Sequence, residues 1–177
     1  MKTLFLLRHA KSAWSDPRLA DHDRPLNRRG ERAAAAMADH LATRGPRPDL
    51  VLCSTALRTR QTLAPLLKRL GTPAPPIALE KSLYLASQAA LLAHLHAVAP
   101  DISTVLLVGH NDGIGDLAVA LAGLGPPEAL ARLREKYPTG SLCVLGVPDE
   151  PWTDLRPGGA ELLEFTRPRD LPLTDRE

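Results

Sequence analysis

Short, unbroken runs of apolar residues recur along the chain, and longer segments with helical periodicity separate them. Residues 104–108 are apolar or β-branched throughout, and residues 4–7 are likewise apolar without a break. Such runs are typical of strands that are covered on both faces of a sheet, although periodicity alone also allows a short buried helix segment. We predict strands at residues 3–7, 49–54, 77–79, 104–108 and 141–147, and edge strands or a hairpin at 152–155 and 161–165.

Helical segments alternate with these strands. Residues 31–44 contain an alanine block in which Ala34, Met37 and Leu41 fall on one face, and Gly45-Pro46 ends the helix. Further helices are predicted at residues 56–70, 88–97, 114–121 and 128–135, and residues 11–30 are predicted to be a long loop. The alternation favours an α/β fold, a three-layer α/β/α sandwich with a mostly parallel central sheet, in one domain spanning residues 1–177.

Composition and charge narrow the range of functions. The chain has 22 Lys and Arg against 20 Asp and Glu, a net charge of +2 that is too small to predict a nucleic-acid partner or a polybasic membrane-binding segment. The apolar start is shorter than a signal-peptide core and no run approaches membrane-spanning length, so we expect neither secretion nor membrane insertion. Cys53 and Cys143 lie in apolar runs without metal-ligand spacing, which predicts buried thiols in a cytoplasmic protein.

Charged and nucleophilic side chains follow three of the predicted strands. The first strand ends on Arg8-His9, the second on Ser54 shortly before Arg58, and the fourth on Gly109-His110. Parallel strands would bring these ends to one edge of the sheet, which is where α/β proteins bind ligands. A neutral imidazole can attack phosphorus, and forked guanidiniums match the phosphate oxygens while disfavouring an imidazolium nearby. The pattern therefore indicates phosphoryl transfer through a covalent intermediate.

These residues lie in segments that resemble the motifs of the histidine phosphatase superfamily, which has the phosphoglycerate mutase-like fold. Leu7-Arg8-His9-Ala10 is similar to the superfamily's Arg-His-Gly signature, and residues 23–30, 54–62 and 109–111 resemble its later motifs in the same order. The resemblance covers roughly residues 2–123. It implies that His9 is the phosphorylated nucleophile, that Arg8, Arg58 and His110 complete the phosphate pocket, and that no metal or organic cofactor is needed.

Within the superfamily, residues 8–14 and 21–26 are most similar to the small bacterial phosphohistidine phosphatase branch. Mutase-type relatives carry a carboxylate general acid in the region corresponding to residues 79–85, where this chain offers only Glu80. Without a proton donor an alkoxide is difficult to expel, whereas imidazole leaves readily. The gap favours a phosphorylated protein or another activated phosphate as substrate, with protein phosphohistidine first, and it argues against mutase activity.

Several further residues near the motifs are candidates for roles in or around the site. Ser12 and Asn111 are candidate substrate-binding residues, and Asn111 or Asp112 is expected to cap the helix after His110. The run Asp21-His22-Asp23 invites a metal site, but we expect a loop hydrogen-bond cluster with Arg24 instead. The remaining cations near the motifs are expected at the surface: Lys11, Arg28, Arg29 and Arg60. Of these, Lys11 is expected close to the entrance of the site.

Two other functions stay open. A broad-specificity phosphatase for small phosphate esters would use Glu80, Asp21 or Asp23 as proton donor. A noncatalytic phosphate-binding module would keep the pocket without turnover. The sequence predicts no oligomeric state.

Overall fold

The computed structural model describes residues 1–172, in which strands and helices alternate. The strands are β1 (Lys2–Arg8), β2 (Leu50–Ser54), β3 (Ile77–Glu80), β4 (Thr104–Gly109), β5 (Ala122–Leu124), β6 (Leu142–Val147) and β7 (Ala160–Thr166). The α-helices are α1 (Arg28–Arg44), α2 (Leu57–Leu70), α3 (Gln88–His96), α4 (Gly113–Leu121) and α5 (Pro127–Glu135). The strands of this part of the chain form one sheet in the order β3-β2-β4-β1-β6-β7-β5.

The half of the sheet that contains β1 to β4 is parallel. β1 pairs with β4, and β2 pairs with both β4 and β3, all in parallel. β6 runs antiparallel to β1 and β7, and the short β5 joins β7 in parallel. The mostly parallel sheet is confirmed, and the C-terminal ends of β1, β2 and β4 lie at one edge.

Successive side chains of β1 enter different cores. Leu4 and Leu6 pack with residues of α3, α4 and α5, whereas Phe5 and Leu7 pack with residues of α1 and α2. Because helices cover both faces, every position along the strand favours an apolar residue, which explains the unbroken run. The three-layer α/β/α sandwich is confirmed.

The C-terminal half departs from the sequence prediction in three places. Residues 152–155 are not an edge strand: Trp152–Asp154 is a 3-10 helix, and the buried Trp152 donates from Nε1 to the carbonyl of Ile102 (2.8 Å). Residues 161–165 do lie in a strand, β7, but β7 pairs with β6 on one side and β5 on the other, so it is not an edge strand, and it makes no hairpin with residues 152–155. β5 is not predicted, because its sequence, Ala-Gly-Leu, has no strand periodicity.

Helix α1 begins within the segment predicted to be loop. The side chain of Asn27 accepts a hydrogen bond from the N–H of Gly30 (2.8 Å), and this cap starts the helix at Arg28 where residue 31 was predicted. The end at Arg44 before Gly45 agrees with the prediction.

Both cysteines are buried and free, as predicted. No helix of the described residues has the length and apolar character required to cross a membrane. Near the C-terminus, Pro168–Asp170 is a 3-10 helix that Arg167 closes by pairing with Asp170. The last ten residues are rich in Pro, Arg and Asp, a composition that predicts an ordered arm or a frayed tail. Residues 173–177 of this segment lie outside the described residues.

Candidate active site

A cleft of about 650 Å³ opens at the edge where β1, β2 and β4 end, and we call it the His9 cleft. Arg8 pairs in register with Gly109 of β4, which places His9 and His110 beside each other with ring centroids 5.3 Å apart. The six residues predicted for the site all line this cleft: Arg8, His9, Ser12, Arg58, His110 and Asn111. The structure therefore brings together residues that lie up to about a hundred positions apart in the chain.

The backbone and the ring of His9 are both held by hydrogen bonds. Its N–H donates to the carbonyl of Gly109 (3.0 Å), and its own carbonyl accepts from the N–H of Gly140 (2.8 Å). Ring atom Nδ1 lies 2.7 Å from the carbonyl oxygen of Ala10, and Nδ1 carries the proton because a carbonyl can only accept. Nε2 is then the nitrogen of the neutral ring that carries the lone pair. Within residues 1–172 it has no hydrogen-bond partner, and it is not one of the unpartnered atoms that are closed to solvent. His9 thus keeps an accessible nucleophilic atom.

Burial keeps the imidazole of His9 neutral. The residue is 7% exposed, and the loss of hydration lowers its pKa to about 4. The hydrogen bond to Ala10 acts in the opposite direction, and the positive charges of Arg58 and Arg8 lower the pKa further. The neutral ring was predicted from the neighbouring arginines; they do lower the pKa, but desolvation is the larger cause.

Arg58 is fixed against the loop that follows β1. It lies in the first turn of α2 and is 3% exposed. Nη1 donates to the main-chain carbonyl of Asp21 (2.7 Å) and Nη2 to its carboxylate oxygen Oδ2 (2.9 Å). Arg24 donates from Nη1 to the other carboxylate oxygen (2.7 Å), which confirms the predicted pairing of Arg24 with the loop. One carboxylate therefore orients two guanidiniums beside the cleft.

Tyr84 completes this arrangement, and the sequence analysis missed it. Its hydroxyl donates to Oδ2 of Asp21, and its ring meets that of His110 edge-on with centroids 5.3 Å apart. The hydrogen bond from Tyr84 is the largest cause that holds the pKa of Asp21 well below its usual range, and the bonds from Arg24 and Arg58 act in the same direction. Asp21 is a carboxylate at neutral pH, so it has no proton to give to a leaving group.

Two buried nitrogen atoms of the cleft residues lack a partner. Ser54 Oγ accepts from the N–H of Ala56 (3.3 Å), so its hydroxyl can donate to His110 Nε2 at 2.8 Å. In the neutral ring this places the proton of His110 on Nδ1, which is buried and unpaired. Arg8 donates from Nη1 to the carbonyl of Tyr137 (2.7 Å), but its Nε is also buried and unpaired. Such donors are costly when unsatisfied, so this arrangement favours an anion in the cleft.

His110 is neutral for the same reason as His9. Burial is the largest cause that lowers its pKa to about 3, followed by the electrostatic influence of the neighbouring His9 and by the positive charge of Arg58. A neutral ring with its proton on Nδ1 can donate one hydrogen bond to an oxyanion without adding a full charge.

This chain is similar in sequence and in fold to known proteins. The family model described as the histidine phosphatase superfamily (branch 1) matches residues 4–83. An uncharacterized protein of Mycobacterium tuberculosis is 41% identical over 165 residues, which are 92% of this chain and 100% of the relative. A solved structure named "putative phosphohistidine phosphatase SixA" from Nakamurella multipartitia is 36% identical with a TM-score of 0.81, covering 94% of this chain and 96% of that chain. Another of the same name from Agrobacterium tumefaciens is 33% identical with a TM-score of 0.78, covering 94% and 97%.

The chain belongs to the histidine phosphatase superfamily. The sandwich described above is the phosphoglycerate mutase-like fold that the sequence motifs predicted. The part matched by the family model contains His9 and Arg58, whereas His110 lies beyond it. The placement of His110 at the site therefore rests on the structure, in which the register of β1 with β4 and the ring contact with His9 bring it there.

Backbone hydrogen bonds close the neck of the loop after β1. Ser12 and Leu26 form an isolated antiparallel bridge, the N–H of Ala13 donates to the carbonyl of Pro25 (2.8 Å), and the N–H of Asn27 donates to that of Lys11 (3.0 Å). The first turn of α1 packs closely against this neck: a Cβ added to Gly30 would lie 2.0 Å from the carbonyl oxygen of Lys11. The neck is thus fixed to the helix, and it holds Lys11 and Ser12 at the cleft.

Two side chains of this loop are organised by Arg24. The hydroxyl oxygen of Ser12 accepts from Arg24 Nη2, which leaves the hydroxyl proton free to be donated. Trp14 is 78% exposed and its ring lies on the guanidinium of Arg24, 3.1 Å from centroid to Cζ. Ser12 is therefore placed for the predicted role of a hydroxyl donor.

Asn111 makes contacts inside the protein. Its Oδ1 accepts from the N–H of Gly115 (3.0 Å), so Asn111 caps α4, while the side chain of Asp112 makes no cap hydrogen bond. Its Nδ2 donates to the carbonyl of Tyr137 (3.3 Å). The side chain therefore helps to hold the turn that carries His110.

The other groups predicted near the site are divided between the cleft and its surroundings. Among the described residues, the cleft lining includes Asp21 and Lys11 but neither Glu80 nor Asp23. The expected loop cluster is present, with His22 Nε2 bonded to the hydroxyl of Thr55 (2.8 Å) and Nδ1 near Asp23 (3.5 Å). Within residues 1–172 no three His, Cys, Asp or Glu side chains are grouped to hold a metal ion. The predicted surface positions of three arginines are confirmed: Arg28, Arg29 and Arg60.

Proposed function

We propose that the protein is a phosphatase that removes the phosphoryl group from phosphohistidine in proteins, through a covalent phosphohistidine at His9. The observation that carries this proposal is the neutral ring of His9, with Nε2 unpartnered, beside the unpaired buried donors of Arg8 and His110. The names of the two similar solved structures support the same substrate class.

The proposed reaction has two displacements at phosphorus. First, Nε2 of His9 attacks, the new N–P bond forms, and the bond to the leaving group breaks with its electron pair going to that group. Water then attacks the phosphohistidine, the N–P bond breaks, and orthophosphate leaves while His9 regains its lone pair. Arg8, Arg58 and His110 donate to the nonbridging oxygens in both steps, and Arg58 retains free N–H hydrogens for this beyond those bound to Asp21. No metal or organic cofactor takes part.

The state of Asp21 supports a phosphoramidate substrate. Of the three carboxyl groups considered as proton donors, Asp21 is the one that lines the cleft, and its hydrogen bonds keep it ionised. Expelling an alkoxide without a general acid is slow, whereas the imidazole of a phosphohistidine is a good leaving group. Ser12 is proposed to donate its hydroxyl to the substrate phosphate, and Asn111 to hold the turn beneath it.

The direct test is replacement of the nucleophile. The variant His9→Ala should hydrolyse a phosphohistidine peptide about 10³-fold more slowly or worse, because no covalent intermediate forms. The wild-type protein, quenched during turnover of ³²P-labelled peptide, should carry a label that is acid-labile and base-stable. His94→Ala, which alters a histidine of α3, is the matched control and should keep full activity. More than trace turnover by His9→Ala would refute the assignment.

A broad-specificity phosphomonoesterase is the second candidate, because Asp21 does line the cleft. The two candidates differ in their response to Asp21→Asn. If Asp21 donated a proton, the variant would lose alkyl phosphate hydrolysis and keep phosphohistidine hydrolysis. We expect instead that both rates change by the same factor and that wild-type protein prefers the phosphohistidine peptide. A noncatalytic phosphate-binding module would show no labelled intermediate with either substrate.

The proposed place of action is the cytoplasm. Cys53 and Cys143 are both free thiols, which suits a reducing compartment. The proposed partners are phosphorylated proteins of that compartment or, for the second candidate, small phosphorylated molecules.

A further inference from the structure

A second cleft, of about 320 Å³, adjoins the His9 cleft. Lys11, Lys136, Pro138 and Thr139 line both clefts, so the two share a wall. Neither the predicted site residues nor the proposed reaction uses this second space. We call it the basic cleft, for the side chains described next.

Positive charge is concentrated in the basic cleft. Its lining has six cationic side chains and one carboxylate: Lys11, Arg29, Arg132, Lys136, Arg167 and Arg169, with Glu135. The whole chain has a net charge of only +2, so this small region is far more positive than the rest of the protein. Such a concave patch of one sign attracts anions.

Most of these cations have no partner among residues 1–172. The side chains of four of them make no hydrogen bond or ion pair within the described part of the chain: Lys11, Arg29, Lys136 and Arg169. Arg167 is paired with Asp170 (2.8 Å). The Nε of Arg132 is buried and has no hydrogen-bond partner, which makes it one of the few such atoms in residues 1–172. Because Arg132 also lines the basic cleft, its guanidinium adds a further positive charge there, and its Nε hydrogen has no acceptor among the described residues.

We propose that the basic cleft binds a second anionic group of the substrate, a carboxylate or a phosphate, while the phosphoryl group that is transferred lies in the His9 cleft. The inference rests on the proposed function to the extent that the His9 cleft receives that phosphoryl group. Guanidiniums bind both kinds of anion through two parallel hydrogen bonds. Three arginines of the lining, Arg29, Arg132 and Arg169, have unused N–H donors within the described residues. In a protein substrate the second anion is an acidic side chain near the phosphohistidine; in a small molecule it is a second phosphate.

The first experiment compares two phosphohistidine peptides that differ only in having Glu or Gln on either side of the phosphorylated residue. Wild-type protein should favour the Glu peptide by about 3- to 10-fold in kcat/KM, mostly through KM, since a few partly exposed ion pairs supply that much. The preference should shrink in 0.5 M salt because solvent ions screen these charges. The double variant Arg29→Gln/Arg169→Gln should lose the preference, since both residues line the basic cleft and not the His9 cleft.

The second experiment uses small molecules and no phosphohistidine. Propane-1,3-diol bisphosphate and propyl phosphate are compared as inhibitors of p-nitrophenyl phosphate hydrolysis. If a second phosphate is the natural occupant, the bisphosphate should bind several-fold more tightly to wild-type protein and lose that advantage in the double variant. If acidic side chains are the occupant, only the peptides should discriminate.

Matched variants separate the subsite from general damage. Arg134→Gln alters an exposed arginine of α5 that does not line the basic cleft, and it should behave as wild type in both experiments. Arg29→Lys/Arg169→Lys keeps the charge and should retain most of the preference. All of these variants should hydrolyse p-nitrophenyl phosphate at the wild-type rate, because that substrate has no second anion.

The subsite is refuted if the double variant keeps every discrimination, if Arg134→Gln loses it equally, or if the double variant loses p-nitrophenyl phosphate hydrolysis as well. The proposed function fails separately. If the peptides are not hydrolysed while the bisphosphate advantage is present and depends on Arg29 and Arg169, the subsite stands and the phosphohistidine substrate does not.

Discussion

The His9 cleft and the basic cleft share a wall but treat positive charge in opposite ways. In the His9 cleft the guanidiniums are bound to protein groups, the buried Arg58 to Asp21 and the part-buried Arg8 to the carbonyl of Tyr137. In the basic cleft most cations have no partner within residues 1–172, and Arg29 and Arg169 are exposed. The first arrangement fixes the directions in which the guanidinium N–H groups point. The second attracts anions through its charge but does not fix the orientation of its side chains.

This difference suits two different tasks. Catalysis needs donors aimed at the positions where charge develops, and fixing them in the folded protein avoids reorganisation during the reaction. Holding a second anion needs only charge, so flexible side chains suffice, and the gain falls with salt. If this account is right, substitutions that keep charge but change shape should be harmful in one cleft and tolerated in the other.

The largest contrast is expected from exchanging arginine for lysine. Arg58→Lys keeps the charge but loses the fork that binds Asp21 at two points, so kcat/KM for p-nitrophenyl phosphate should fall about 100-fold. Arg60→Lys, at an exposed position of the same helix, is the control and should change little. A fall of less than about threefold for Arg58→Lys would mean that direction is unimportant in the His9 cleft.

Acid should destabilise the protein through the His9 cleft. The pKa of His9 is about 4 and that of His110 about 3, both below the ordinary value near 6.5, so the unfolded chain binds protons that the folded protein does not. The free energy of unfolding should therefore fall as the pH drops from about 6.5 to 4, by up to about 3 kcal/mol for His9 alone.

The measurement is urea unfolding across that pH range in phosphate-free buffer. His9→Ala should show a shallower dependence, because one of the two buried neutral rings is gone, and His94→Ala should match wild type. Equal slopes for wild type and His9→Ala would show that His9 is not held neutral by the fold.

The smallest expected effect concerns the outer support of the His9 cleft. Tyr84→Phe removes the hydrogen bond to Asp21 but leaves Arg24 and Arg58 to hold the carboxylate, so kcat for p-nitrophenyl phosphate should drop by only about 2- to 5-fold. Ser82→Ala, which alters an exposed neighbour bonded to His94, is the matched control. No change with Tyr84→Phe would limit the preorganised region to Asp21 and the two arginines.

Local patterns were sufficient to predict the centre of the sheet and most of the His9 cleft. Buried parallel strands leave a continuous apolar run in the sequence, and their C-terminal ends fix where Arg8, His9 and His110 emerge. The presence of Arg58 in the cleft also follows from its position shortly after β2, in the first turn of α2. These features depend on a few neighbouring residues and on strand direction, which the sequence carries.

Contacts made over long distances in sequence were not predictable in the same way. Tyr84 reaches Asp21 across 63 positions, and nothing local to a Leu-Tyr-Leu segment indicates a hydrogen bond to a loop carboxylate. Trp152 looked like part of a strand, yet its indole N–H is satisfied by the carbonyl of Ile102 in a 3-10 helix. The basic cleft likewise unites the loop after β1, α5 and the segment after β7, whose separate cations each resemble ordinary surface charges.

The closed neck of the loop after β1 has a consequence for how this protein can diversify. Lys11, Ser12 and Ala13 are tied to Asn27, Leu26 and Pro25 by the backbone, and within the loop Asp21 and Arg24 are bound to Arg58 and Ser12. The part of the loop that lies away from these contacts is its exposed tip, residues 15–20. Lengthening or exchanging this tip would reshape the rim of the entrance, including the surface around Trp14, without displacing His9 below. New substrate preferences could thus be acquired by editing one exposed segment while the chemistry beneath it is inherited unchanged.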